Sequence, residues 1–244
     1  MKNLKLLIYI IPIFGLVMTS CDPSVEALGV DVKSEVTYLP LITLEGGDVV
    51  LDCDATSYTD PGAVASAGGN EIELFTNVSG TYFGGNTVDG PDIYNVSYSA
   101  FNSDSIPATA FREVYWPPCN GDFVSSIAGE YTSSLTRTPG YSTTDLGPIL
   151  IRDMGDGVFA ISDAIGGWYE LEYGYGPDYA AIGMTVTAND IAANDFTFND
   201  VIGVGAFGGA LEMTSFSVDP ATKTINFTTE WSFGYVFEVT LTQQ

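Results

Sequence analysis

From residue 36 onward, apolar and polar positions alternate with a period of two, in short runs cut by Gly, Pro, Asn and Asp. Val36, Tyr38, Pro40 and Ile42 alternate with other residues, and Val49-Val50-Leu51 follows a Gly46-Gly47-Asp48 turn. Ile72, Leu74 and Phe75 mark another short strand. Tyr94, Val96, Tyr98 and Ala100 share one face of the next, and Phe111 to Trp116 closes the set. About seven short strands in about eighty residues predict a β-sandwich over residues 36–117. Two prolines and an Asn-Gly pair in Trp116-Pro117-Pro118-Cys119-Asn120-Gly121 then break the pattern and mark a boundary.

Residues 118–244 continue in the same idiom. Gly129-Glu130-Tyr131 opens a strand, Pro148 to Arg152 makes another, and Val158 to Ile161 follows the Gly155-Asp156-Gly157 turn. Trp168 to Tyr175 and Ala180 to Val186 extend the series. Leu211 to Val218 precedes a turn at Asp219 to Lys223, after which Ile225, Phe227, Thr229 and Trp231 share one face. Tyr235, Phe237, Val239 and Leu241 alternate in the last strand. The expectation is an all-β protein, a sandwich followed by a C-terminal antiparallel β-barrel or sandwich.

The first 35 residues differ. Lys2 and Lys5 precede an apolar run from Leu6 to Met18, which ends in Thr19-Ser20-Cys21. This is the layout of a secretory leader, and the apolar run is shorter than the roughly 20 residues of a membrane span. A cysteine directly after Thr-Ser resembles a bacterial lipobox, with Met18 where Leu is usual. That resemblance implies a leader over 1–20, lipidation at Cys21 and an outer-membrane protein held by its acyl chains. An ordinary signal peptide or an uncleaved anchor is the alternative. Residues 21–35, rich in Pro, Ser, Gly, Glu and Asp, read as a tether.

Composition narrows the function classes. Among 244 residues, 31 acidic side chains face seven basic ones, for a formal net charge of −24. Such a chain is repelled by phosphate backbones, so no nucleic-acid partner is expected. At 45% hydrophobic and 13% aromatic residues it carries enough apolar side chain to fold. The sequence contains no histidine, which excludes Ser-His-Asp and Cys-His catalysis and His-rich zinc sites. No catalytic residue, cofactor or metal ligand is implied. With Cys21 lipidated, Cys53 and Cys119 either pair as a disulfide or stay as two buried thiols.

Tyr58-Thr59-Asp60-Pro61-Gly62-Ala63 followed by Ala65, then Tyr94 to Ala100, then Arg112-Glu113-Val114, resembles a bacterial Ig-like domain. Local chemistry makes the first motif a turn: Asp60 accepts bonds from the following backbone, Pro61 fixes φ and Gly62 permits positive φ. A calcium ligand at Asp60 is the competing role. The order of parts resembles lipid-anchored surface proteins of Bacteroidota. Gly129-Glu130-Tyr131 and Asp163-Ala164-Ile165-Gly166-Gly167-Trp168-Tyr169 carry the C-terminal half of that resemblance. It implies a SusC/SusD-type uptake complex as partner, with a glycan or a peptide as cargo.

The strongest binding candidate is the stretch from Gly166 to Tyr179. Read as a strand, it places Trp168, Glu170 and Glu172 on one face, a ring and two carboxylates suited to a sugar. Aromatics capping a barrel core account for the same residues. Glu170 and Glu172 also raise a glycosidase reading, but neighbours on one strand point the same way instead of across a bond. The Asn-Asp pairs at 189–190, 194–195 and 199–200, and Asp153, Asp156 and Asp163, serve as turn formers or as calcium ligands. Asp104-Ser105-Ile106 resembles a Bacteroidota O-glycosylation acceptor and also reads as a polar loop. Together these features point to a non-enzymatic surface lipoprotein assisting nutrient capture. The alternatives are a structural or adhesive module and, more remotely, a glycoside hydrolase.

Overall fold

A computed structural model describes residues 36–198 and 201–244. Cys21, the leader and the tether lie outside the described residues. Among the described residues no helix is long and apolar enough to cross a membrane.

From Tyr38 onward the chain forms one compact unit. Its first part holds seven strands: β1 Leu41–Leu44, β2 Val49–Val50, β3 Ala63–Ala67, β4 Asn70–Glu71, β5 Leu74–Gly80, β6 Asp92–Phe101 and β7 Pro107–Trp116. They make a three-stranded sheet, β1-β3-β4, and a four-stranded sheet, β2-β7-β6-β5. Tyr94, Val96, Tyr98 and Ala100 are all buried, as their shared face requires. The first three pack with Val114 against Ile42 and Leu44 of the other sheet. The first strand starts at Leu41, later than its alternation suggests. Pro40, which has no N–H to give a ladder, stands just outside it.

One cation organises this part. Arg112 on β7 is fully buried and its guanidinium is saturated. Nε donates to Gly47 O at 3.1 Å, and Nη2 donates to Glu45 O at 2.8 Å and Gly62 O at 3.0 Å. Nη1 donates to the Tyr98 hydroxyl at 2.6 Å and to the Asp60 carboxylate, forming an ion pair. Asp60 therefore reaches into the fold and does not bond the backbone that follows it, a correction to the turn reading. It also accepts from the hydroxyls of Tyr58 and Tyr98. Burial by itself would raise the Asp60 pKa; the two tyrosines and Arg112 outweigh it and hold the carboxyl below its usual range. Gly62, at φ +90°, supplies the positive φ expected of it. Cys53 and Cys119 are joined as a disulfide with a Cα separation of 4.8 Å.

The second part is a single antiparallel sheet of nine strands. These are β8 Gly129–Thr138, β9 Ser142–Gly155, β10 Val158–Ile161, β11 Thr185–Asp190 and β12 Asp195–Phe198, then β13 Ile202–Val204, β14 Gly208–Asp219, β15 Thr224–Trp231 and β16 Tyr235–Gln243. Their spatial order is β12-β11-β10-β9-β8-β16-β15-β14-β13. The chain thus walks from the centre to one edge, crosses to the other edge, and walks back until β16 lies beside β8. Four residue steps from Phe198 to Ile202 span at most about 14 Å. A flat nine-stranded sheet would hold its edges about 38 Å apart. The sheet must curl, and Phe196 of β12 accordingly meets Phe216 of β14 with ring centroids 4.8 Å apart. Inside the curl lie Phe159, Phe227, Phe237, Ile149 and Ile151, joined by residues of the connection between β10 and β11.

Two expectations fail in that connection. Trp168 to Tyr175 is not a strand: Trp168–Glu172 is a single π-helical turn. The strand expected from Ala180 begins only at Thr185. Gly166 and Gly167, at φ +66° and +88°, turn the chain away from extended geometry. The two-residue alternation of aromatics in this stretch is real, but the glycines decide its conformation.

Replacing Arg112 by Met is expected to lower the unfolding free energy by about 3 kcal/mol, because Asp60 and three carbonyls lose their donor. Urea titration measures it; a loss below about 1 kcal/mol would show the guanidinium to be dispensable.

Candidate binding face

The connection between β10 and β11 folds back into the curled sheet and is held there by Asp163. This carboxylate is fully buried and accepts three backbone N–H groups: Ile165 at 3.0 Å, Gly167 at 2.9 Å and Ala181 at 2.9 Å. The first two lie just after Asp163 and the third 18 residues on, so one side chain clamps both ends of the loop. Burial pushes its pKa up to about 6, against the pull of those three donors. Asp163 acts as a structural clamp, its oxygens taken up by backbone N–H groups. Gly166 lies so close to the sheet that a Cβ would come within 2.7 Å of Ser133 Oγ and 2.9 Å of Val239.

Between the clamps, Leu171 N and Glu172 N both donate to Gly167 O, at 2.9 and 3.0 Å, closing the π-turn. The turn sends its side chains in different directions. Trp168 is 0% exposed and belongs to the core. Glu170 is 6% exposed and accepts a 2.5 Å bond from the Tyr82 hydroxyl of the first sheet pair. Glu172 is half-buried and accepts from Tyr141 at 3.1 Å and Thr143 at 2.7 Å. The three residues expected to share one strand face therefore part company. Only Glu172 stays near the surface.

The exposed rings of this region are joined by ring contacts that run through three buried ones, Trp168, Tyr169 and Trp231. Tyr141 meets Trp168 with centroids 4.6 Å apart, Trp168 meets Tyr173 at 5.9 Å, and Tyr173 meets Tyr175 at 5.4 Å. Tyr175 continues to Tyr179 at 5.2 Å, which meets Phe207 at 5.0 Å. Tyr169 links Phe207 to Trp231, and Trp231 touches both Phe233 and Tyr235. Tyr141, Tyr173, Tyr175, Phe207 and Phe233 are each between 41% and 59% exposed. Arg137, at the end of β8, lays its guanidinium over Trp168 at 4.8 Å and over Tyr235 at 4.6 Å. The result is a ring-lined rim, with Arg137 packed on its buried Trp168 and on Tyr235, and with one carboxylate, Glu172, at its border.

Tyr173 and Tyr175 belong to the stretch singled out from sequence. Tyr141, Phe207, Phe233, Tyr235 and Arg137 come from three other places in the chain, and only the curl of the sheet unites them. One signal was available: Phe233 stands at the tip of the Ser232-Phe233-Gly234 hairpin, a large ring on an exposed turn.

The remaining candidates resolve as local structure. Asp190 accepts from Ala193 N at 3.0 Å, Asn194 brackets Val218 with bonds of 2.6 and 3.1 Å, and Asp153 accepts from Gly155 N at 2.8 Å. Asn199 and Asp200 lie outside the described residues. Among the described residues no group of three or more Cys, Asp and Glu side chains is placed to hold a metal. Asp104, Ser105 and Ile106 form an exposed loop capped by the Asn102 side chain.

Residues 120–243 match a family model described as "-like, C-terminal domain". That match takes in just over half of the chain, and the chain belongs to this family of C-terminal domains. Among solved structures, the lipoprotein BT2262 from Bacteroides thetaiotaomicron is similar at 29% identity and a TM-score of 0.54. The likeness covers 84% of this chain and 100% of that one. No curated protein matches the chain.

The buried acids make stability pH-dependent. Burial, reinforced by the nearby Asp163 charge and opposed by the Tyr82 bond, raises the Glu170 pKa to about 7. A carboxyl whose folded pKa is raised stabilises the fold fully below its unfolded pKa and loses that contribution as pH climbs through the folded value. Between about pH 4.5 and 7 the wild type is expected to lose on the order of 3 kcal/mol from this group. In Glu170→Gln that part of the slope should vanish; urea midpoints measured across the range would refute the assignment if both proteins lose stability in parallel.

Proposed function

We propose that the protein is a lipid-anchored, surface-exposed outer-membrane lipoprotein of Bacteroidota that binds nutrient without catalysis beside a SusC/SusD-type uptake complex. Acyl chains on Cys21 would hold it to the membrane. The seven-stranded N-terminal part, read as Ig-like through its Tyr58-to-Ala63 motif and Arg112, would lift and position the C-terminal sheet. The similarity to a Bacteroides lipoprotein supports the anchoring part of this reading.

The observation that carries the binding reading is the set of five half-exposed rings, Tyr141, Tyr173, Tyr175, Phe207 and Phe233, linked by ring contacts over the buried Trp168, Tyr169 and Trp231. Large apolar side chains left in solvent and joined into one surface are characteristic of ligand or partner contact. Phenolic rings with hydroxyl edges match the two-sided character of a pyranose, which offers C–H groups on its faces and hydroxyls at its rim. A peptide is the other cargo class of the resembled uptake systems. Its main chain seeks unpaired backbone groups, and the rim presents side chains. Binding rather than hydrolysis fits the placement of the acids: Glu170 is bonded to Tyr82 inside the molecule while Glu172 stays at the border.

A second reading rests on a different surface. Phe75, Phe101 and Phe111 are exposed on the outer face of β5, β6 and β7, with Phe75 and Phe101 in edge contact at 6.4 Å. That face suits a structural or adhesive module.

Affinity electrophoresis through gels containing polysaccharides tests the first reading. The wild type should be retarded by at least one, and Tyr175→Ala with Phe233→Ala should weaken binding about tenfold while the circular dichroism spectrum is unchanged. Retardation by none, together with recovery of the lipoprotein alone from detergent-solubilised outer membranes, would shift the assignment to the adhesive reading.

A further inference from the structure

We propose that Arg137 gives the aromatic rim a carboxylate subsite, so that the glycans it takes are acidic, uronate-bearing oligosaccharides. This rests on the reading of the rim as a glycan-binding face and names the substrate class of that face.

The inference starts from the scarcity of cations. Acidic residues outnumber basic ones 31 to seven, so a basic side chain here has many carboxylates within reach of the fold. Arg112 is ion-paired with Asp60, and Arg152 faces Asp89 at 3.7 Å. Lys223 sits in the turn at the far end of β15 from Trp231. Arg137 differs from the other two arginines: among the described residues it makes no ion pair, and its one side-chain hydrogen bond is a 3.4 Å contact from Nη1 to the Tyr169 hydroxyl. Its Nε is buried without a partner. A guanidinium with unmet donors, in a chain so rich in acids, is a charge left without its counter-ion.

Its surroundings fix its orientation. Stacking over Trp168 and Tyr235 holds the planar group by its faces and leaves the donors on its edge. Gly140 closes against the Nε side of that edge, where a Cβ would stand 2.9 Å from Nε and 3.2 Å from Nη2, so the end formed by Nη1 and Nη2 is the part left for a ligand. An oriented guanidinium edge is the complement of a carboxylate, which it can hold through two parallel charge-assisted bonds. The acids bordering the rim are Glu172, bonded to Tyr141 and Thr143, and Asp178 on the turn before Tyr179. They suit sugar hydroxyls and leave the anion to Arg137. The net charge of the rest of the protein weighs less at this point, since salt at 0.15 M screens exposed charges beyond about 8 Å.

Rings beside a fixed guanidinium describe a site for a pyranose that carries a carboxylate. At Arg137 the backbone N–H is already engaged, donating to Tyr141 O at 3.1 Å, and is not offered to a peptide.

Titration calorimetry of the full mature chain with trigalacturonate and with its methyl ester compares ligands that differ in charge at the same carbons. The acid is expected to bind at least about tenfold tighter than the ester. In Arg137→Met that preference should disappear, and Arg137→Lys should restore only part of it. The wild-type comparison needs no variant, so a misfolded Arg137→Met would not shelter the proposal. Equal affinity for acid and ester, with binding lost in Phe233→Ala, would overturn the carboxylate subsite and leave the glycan reading standing. Failure of both sugars to bind would remove both. Binding of triglutamate in an Arg137-dependent way, without either sugar, would overturn the glycan class in favour of an acidic peptide.

Discussion

A carboxylate with no solvent exposure, bonded to three backbone N–H groups, is the constraint on which the C-terminal half depends. Asp163 cannot be read as a stabilising charge alone, because burying an anion is costly unless its lone pairs are filled. Here they are filled by amides from both ends of one loop, which converts the cost of burial into a condition on the loop's path. Once those ends are clamped, Gly166 and Gly167 turn the chain, the π-turn closes, and Trp168 is driven into the core. Tyr173 and Tyr175 then emerge beside rings supplied by the hairpin tips of the sheet. The rim is a by-product of packing a loop inside a curled sheet.

The N-terminal half uses the opposite strategy at a comparable depth. Arg112 brings a cation inside and spends its N–H groups on three carbonyls, a hydroxyl and a carboxylate drawn from separate segments. It thereby ties together the segments around Glu45, Gly47, Asp60 and Gly62. Between the halves, Tyr82 and Tyr115 donate to Glu170 and Glu130 across a small apolar seam containing Leu150, Ile93 and Ile182. Burial and the neighbouring carboxylates push both phenols well above their ordinary pKa, so they act as donors throughout the physiological range.

Much of the fold is legible in the sequence because period-two alternation carries it. Ile225, Phe227, Thr229 and Trp231 line one face as their spacing requires, and the faces of β6 and β16 read equally well. The single nine-stranded sheet is less legible, since its closure depends on where the chain crosses from β12 to β13 and no local pattern encodes that. The site is the least legible part. Trp168, Glu170 and Glu172 alternate as a strand would, but four glycines around them and one buried carboxylate impose another geometry. Arg137 gives no local signal at all; it gains meaning only when Trp168 and Tyr235 are found beneath it.

The disulfide has a mechanical consequence. Cys53 and Cys119 are 66 residues apart in sequence and directly bonded, near the start of the first part and at the threshold of the second. In the proposed lipid-anchored arrangement, tension between the membrane and a captured polymer would enter near Tyr38 and leave through β8. The covalent line of force runs to Cys53, crosses to Cys119 and continues into the curled sheet. Residues 54–118 lie off that line. Most of the N-terminal strands are therefore shielded from load, and they can open without lengthening the connection between anchor and binding face.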